Sequence, residues 1–220
     1  MVLDPVQTRV LGCLIEKEIT TPENYPLSLN ALVNACNQKS SREPVMDLSE
    51  DEVRQALHTL EDDELVSTAH DSRVPKYEHR IRTVLNLRRD ETAALCLLML
   101  RGPQTAGEIR GRSERLFAFD DIAAAQTTLE RLATREAPSE SAPTATGPLT
   151  LLLPRQPGSR EARYAHLLSG TPDPASLATP TVSAPRESAD AARIAQLEQQ
   201  VATLTAAVTA LEQRLDRLET

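Results

Sequence analysis

The chain has 220 residues, a formal net charge of -8 and only 2% aromatic residues, with no Trp. That length suits two small domains better than one large one, and the aliphatic composition points to mostly helical cores. The acidic balance excludes a generally basic phosphate binder, so any nucleic-acid contact must come from a locally basic face.

Asp4-Pro5 opens a first helix, with Asp as N-cap and Pro in the first turn. Val6, Val10, Leu11, Leu14 and Ile15 make its apolar face. A loop carrying Pro22 and Pro26 leads to a second helix predicted over Leu27–Asn37. The polar link 38–46 precedes a third helix, whose start is marked by the capping box Ser49-x-x-Glu52. Val53, Ala56, Leu57 and Leu60 form its buried stripe. Leu65–His70 and Lys76–Ile81 then read as a hairpin around Asp71-Ser72-Arg73-Val74-Pro75. Helix, helix, helix, hairpin is the order of a winged helix, in which the third helix usually enters the DNA major groove.

The order repeats. Asp90-Glu91 is expected to cap a helix that stops at Gly102-Pro103, and Thr105-x-x-Glu108 caps a short one through about Ser113. Asp120 or Asp121 starts a third, with Ile122, Ala125, Leu129 and Leu132 inside. Leu149–Pro154 and Arg163–Leu168 flank a second hairpin tip. The predicted fold is therefore mainly α with small β hairpins (α+β): two tandem winged-helix domains, 1–88 and 89–170. A flexible linker rich in Pro, Ala, Ser and Thr follows at 171–188, and a coiled-coil helix at 189–220.

The coiled-coil signal is four unbroken heptads. Ile194, Val201, Val208 and Leu215 occupy a positions, and Leu197, Leu204, Leu211 and Leu218 occupy d positions. β-branched a residues with Leu at d favour a parallel homodimer. Arg193 would then meet Glu198 of the second copy, and Arg214 would meet Glu219, whereas the antiparallel pairing sets like charges together.

No catalytic constellation, cofactor fingerprint or metal-ligand spacing is present, so a non-enzymatic protein without cofactors is expected. Cys13, Cys36 and Cys96 are far apart and lie among apolar residues, as small core residues do. No apolar run approaches a membrane span and the N-terminus lacks a basic-then-apolar leader, which predicts a cytoplasmic protein with no membrane partner. The third helix carries Glu50, Asp51, Glu52, Glu61, Asp62, Asp63 and Glu64 against the single base Arg54. The basic residues sit on loops and hairpins instead: Lys39, Arg42, Arg73, Lys76, Arg110, Arg112, Arg155, Arg160 and Arg163. These nine are the candidate contacts to DNA phosphates or to a protein partner. Two readings stay open: a DNA-associated regulatory or scaffolding module using basic wings, and a protein–protein module using the acidic third helix without DNA. Asn30, Asn34, Asn37 and Gln38 are a further candidate, as a polar network that positions the loop before the third helix.

The stretch Thr20–Met46, with Thr21-Pro22-Glu23-Asn24-Tyr25-Pro26 and Lys39-Ser40-Ser41-Arg42-Glu43-Pro44, closely resembles the bacterial YceH-like family. The resemblance continues through Leu100–Arg110 and through Leu153–Gly170, which includes Arg155-Gln156-Pro157-Gly158-Ser159-Arg160. It implies a tandem winged-helix fold, often with a coiled-coil tail, and no activity to carry over residue by residue. The segment 137–147 departs from it, being longer and richer in Pro, Ser and Ala.

Overall fold

The computed structural model describes residues 2–69, 74–137, 146–156 and 158–172. These form a mixed α+β unit. Its helices are α1 (Pro5–Thr20), α2 (Leu29–Cys36), α3 (Glu50–Asp62), α4 (Ile81–Val84), α5 (Arg89–Arg101), α6 (Ala106–Arg112) and α7 (Ile122–Ala133). Its strands are β1 (Leu27–Ser28), β2 (Val66–Ala69), β3 (Lys76–His79), β4 (Thr150–Leu152) and β5 (Tyr164–His166). The readings made for residues 173–220, heptads included, lie outside the described residues, as does Arg73.

Helix α1 is the hub. Asp4 accepts from Gln7 N at 2.8 Å while Gln7 Oε1 accepts from Asp4 N at 2.9 Å, a reciprocal cap that fixes its first turn. Val10, Leu11, Cys13, Leu14 and Ile15 are fully buried, because α2, α3 and α5 all pack around it. Against α5 the approach is close: a Cβ at Gly12 would lie 2.9 Å from Leu100 Cδ2. The Cys96 thiol donates to Gly12 O across the same contact at 3.4 Å. All three cysteines are buried and free, as expected of core residues.

Two antiparallel sheets carry the hairpins. The first has the order β1-β3-β2, with Leu27 opposite Tyr77 and Thr68 opposite Tyr77 from the other side. Leu27 and Ser28 are therefore strand rather than helix, which corrects the predicted start of the second helix. Ser28 is the N-cap of α2, accepting from Ala31 N at 3.4 Å, so the strand ends where the helix begins. The hairpin also stops at His79, and Ile81 begins the short α4. In the second half β4 pairs with β5, and Gln104 forms a bridge to Tyr164 with bonds of 2.8 and 3.0 Å. Gln104 precedes the Thr105 cap of α6 as Leu27 precedes the Ser28 cap of α2. The two halves thus repeat down to the strand position before the second helix.

Two helix termini are closed by specific bonds. Helix α5 starts at Arg89 with Arg88 as N-cap, whose N–H donates to Glu91 Oε2 at 2.8 Å. Asp90 and Glu91 lie inside the first turn and bind Arg131 of α7. Helix α3 ends with Leu65 N donating to Leu60 O (2.8 Å) and Glu64 N to Glu61 O (2.9 Å). That is a Schellman closure with Glu64 at φ +59°, a position usually given to Gly.

Candidate functional site

The connection between α2 and α3 is irregular backbone, so its carbonyls need partners from elsewhere. Two guanidinium groups beneath it supply them. Arg9 of α1, 1% exposed, donates to Cys36 O at 3.1 Å and to Pro44 O at 2.6 Å. Arg42, 5% exposed, donates to Ala35 O at 3.1 Å and Ser41 O at 3.0 Å. It also forms a two-pronged pair with Glu16 at 2.6 and 3.0 Å. Asn37 closes the loop's ends, donating to Leu48 O and accepting from Leu48 N, both at 2.8 Å. Arg101 of α5 donates to Ser41 Oγ at 2.6 Å, and Glu43 N donates to Leu100 O at 2.8 Å. Ser41 is held at φ +61° by these contacts.

Electrostatics agree with the geometry. Burial works against charge on Arg42, but the bidentate Glu16 carboxylate outweighs it and raises its pKa. Burial likewise opposes the charge on Glu16, and its hydrogen bonds with Arg42 bring its pKa below the ordinary value. Arg9 has no carboxylate within salt-bridge reach among the described residues, and burial lowers its pKa.

Of the nine predicted contact residues, Arg42 requires correction: it is an interior strut, and its donors are consumed by the loop and by Glu16. Arg112 and Arg163 are partly engaged. Arg163 bonds Glu108 Oε2 and Pro103 O, each at 2.8 Å, while Arg112 donates to Gln104 Oε1 at 2.7 Å and lies 3.6 Å from Glu108. Lys39, Arg110, Arg155 and Arg160 are exposed, Lys76 is half-buried on β3, and among the described residues none of the five makes an ion pair. Of the proposed polar network, Asn37 organises the loop and Gln38 Oε1 accepts from Arg42 at 3.1 Å, whereas Asn30 and Asn34 pair with each other on exposed α2 surface.

Beside the pinned loop lies an open cleft of about 510 Å³, bounded by the C-terminal end of α1, residues 38–41 and Arg115. Lys17, Lys39 and Arg115 line it against the single carboxylate of Glu16. The third helices look different. The exposed surface of α3 carries Glu50, Asp51, Glu52 and Asp62, and its one base, Arg54, is bound to Glu50 (2.5 Å) and Asp51 (2.8 Å). The exposed surface of α7 is nearly uncharged, with Ile122, Ala123, Gln126, Thr127 and Glu130. Among the described residues no group of His, Cys, Asp and Glu is arranged to hold a metal ion, and no helix is long and apolar enough to cross a membrane.

Sequence reasoning passed over Arg9, Glu16 and Arg101. A signal existed for two of them: Arg9, Cys13 and Glu16 fall at i, i+4 and i+7, one face of a helix otherwise filled with core residues.

Comparison with known proteins places these features in a family. A family model described as "Protein of unknown function, DUF480" matches residues 3–159, which include α1, the pinned loop and the cleft. A UPF0502 protein of Koribacter versatilis is 51% identical over 208 residues, covering 93% of this chain and 91% of that protein. One from Aeromonas hydrophila is 45% identical over 225 residues, covering 100% and 99%. A third, from Geobacter sulfurreducens, is 49% identical over 211 residues, covering 93% and 90%. With matches of that extent, the chain belongs to the DUF480, or UPF0502, family of bacterial proteins.

Proposed function

We propose that residues 1–170 are two tandem winged-helix units and that the protein is a non-enzymatic, DNA-associated regulatory or scaffolding module of the cytoplasm. The repeated order supports the fold reading: a strand position, two helices, then a hairpin whose second strand pairs back to that position. The distribution of charge carries the functional reading. Among the described residues, exposed cations without an internal ion partner include Lys39 on the α2–α3 loop, Arg110 on α6 and Arg155 and Arg160 on the second hairpin, besides Arg82 on α4 and Arg88 and Arg89 at the start of α5. The third helices present an acidic or neutral surface. Such a protein contacts duplex phosphates through Lys39, Lys76, Arg110, Arg155 and Arg160, with Arg112 and Arg163 at the edge of the second patch. The heptads at 194–218 join two copies, and the linker lets them bind without a fixed half-site spacing, so weak contacts gain avidity.

Fluorescence anisotropy of the full chain against mixed-sequence duplex across a salt series tests this. Micromolar affinity that falls steeply with salt is the expected result, and a shallower slope when Arg155 and Arg160 are both changed to Glu. Absence of binding at about 50 mM salt would overturn it. A second reading is favoured by one observation, the acidic surface of α3 with its only base already neutralised. On that reading α3 docks a basic protein partner, and Arg→Glu changes on the hairpins leave the interaction intact.

A further inference from the structure

We infer that the cleft between the end of α1, residues 38–41 and Arg115 is a binding site for a phosphate-class oxyanion. Its lining is rich in donors and poor in acceptors. Lys17, Lys39 and Arg115 bring three positive charges. The one carboxylate, Glu16, has both oxygens occupied by Arg42 and lies 3.1 Å from Lys17. Two of the neutral groups, Gln38 and Ser41, are committed in the same sense, while the Thr20 and Thr21 hydroxyls donate to Glu16 O (2.8 Å) and Lys17 O (3.3 Å). Gln38 accepts from Arg42 through its oxygen, which leaves its amide N–H groups to donate. Ser41 Oγ accepts from Arg101, which leaves its hydroxyl proton to donate.

Three cations and several directed donors suit a dianion with three or four oxygens better than a single carboxylate. The volume, about 510 Å³, exceeds a bare phosphate and accommodates a compact organic phosphate. Two things prepare the site before any ligand arrives. Ser41 is fixed in a left-handed conformation by Arg42 and Arg101, and the loop's ends are clamped by Asn37. Beneath the loop lie two guanidinium groups, of which Arg42 is paired with Glu16 and Arg9 with backbone carbonyls alone, so this part of the interior is net positive. In a chain of net charge -8 this is a local exception, one that draws anions to a particular place. The inference does not rest on the duplex-binding reading. The phosphate can belong to a small ester or to a nucleic-acid backbone.

The test titrates the full-length protein calorimetrically with sodium pyrophosphate at constant ionic strength, and in parallel by anisotropy with duplex DNA. Lys39→Glu and Arg115→Glu are compared with Arg89→Glu, an exposed charge at the far end of α5, about 18 Å of helix from Arg101. Saturable pyrophosphate binding that weakens about tenfold or more in each cleft variant, and not in the control, supports a small-phosphate site. No pyrophosphate binding, but a tenfold or greater loss of duplex affinity confined to the cleft variants, supports the same site with a backbone phosphate. Neither ligand responding, or an equal loss in Arg89→Glu, overturns the inference. Lys39→Gln and Arg115→Gln repeat the comparison should a charge reversal impair folding.

Discussion

Changing Arg42 to Ala separates an interior strut from a surface contact. The substitution removes five hydrogen bonds, to Ala35 O, Ser41 O, Gln38 Oε1 and both oxygens of Glu16. It leaves the Glu16 carboxylate, whose side chain is 15% exposed, with only Lys17 at 3.1 Å. Breaking a buried pair from one side costs about 3–5 kcal/mol, and the residual exposure and Lys17 place this case near the lower end. For a unit of this size that corresponds to a fall of about 6–12 °C in Tm, read by circular dichroism at pH 7. Adding Glu16→Gln to Arg42→Ala should cost less than Glu16→Gln alone, with a coupling of at least about 1 kcal/mol, because the orphaned charge is gone. Acid titration gives an independent check. Arg42 depresses the folded-state pKa of Glu16 below its ordinary 4.5. The pair's stabilisation is therefore present above that value and is lost as pH falls through the folded pKa, a dependence that should shrink in Arg42→Ala. A Tm within about 2 °C of wild type, together with weakened duplex binding, would refute the interior assignment and restore Arg42 to the surface.

Other substitutions probe the frame around the loop. Glu64→Gly should raise the urea midpoint by the equivalent of about 0.5–1 kcal/mol, since Gly adopts the left-handed closure of α3 without a Cβ penalty; a lower midpoint would show that the Glu64 side chain contributes more than its backbone costs. Gly12→Ala should lower Tm even though Ala is the better helix former by about 1 kcal/mol, because its Cβ meets Leu100 at 2.9 Å in a packed core. Leu100→Ala in the same chain should recover part of that loss, and a Tm of Gly12→Ala at or above wild type would mean that α5 yields freely. Burial lowers the His166 pKa from 6.5 to about 4. The unfolded chain then binds a proton that the folded one refuses between those values, so stability is full above 6.5 and falls with pH. The loss between pH 7 and pH 5 should be about 1–2 kcal/mol for this partly buried ring. His166→Phe should remove that slope in urea melts, and parallel slopes in the two proteins would refute the assignment.

What the sequence disclosed follows the range of the interactions concerned. Reciprocal caps such as Asp4 with Gln7 and Ser49 with Glu52 span three residues, so helix starts could be read directly. The apolar stripe of α3 was equally legible, with Val53, Ala56, Leu57 and Leu60 all buried. Residues whose partners are distant in sequence were not. β1 exists because Leu27 and Ser28 pair with Tyr77 and Lys76, and nothing within the local run distinguishes them from the first turn of α2. Glu91 does close the first turn of α5 by accepting from Arg88 N, but nothing in the local run shows that Asp90 and Glu91 also face Arg131 some forty residues away. Arg42 sits in a polar stretch with Lys39 and Ser40 and reads as surface. Only the fold brings Glu16, the Gln38 side-chain oxygen and two backbone acceptors around it.

Arg9 shows why a costly arrangement persists beneath the loop. A charged group with no carboxylate partner in a core is unfavourable, and burial lowers its pKa accordingly. Replacing it by an apolar residue would leave Cys36 O and Pro44 O without this donor, at about 1–3 kcal/mol for the buried bond to Cys36 and less for the part-buried one to Pro44. Lys offers one nitrogen where the two acceptors engage separate Nη1 and Nη2 groups, so the planar fork of Arg is the side chain that spans both. The loop's shape therefore depends on a positive charge beneath it. Arg42, paired with Glu16, repeats the device on the adjacent carbonyl, Ala35 O. A segment fixed in this manner holds Lys39, Ser40 and Ser41 in place at the surface while the field under them remains positive. One cause thus accounts both for the order of an irregular connection and for the affinity for anions inferred at the cleft beside it.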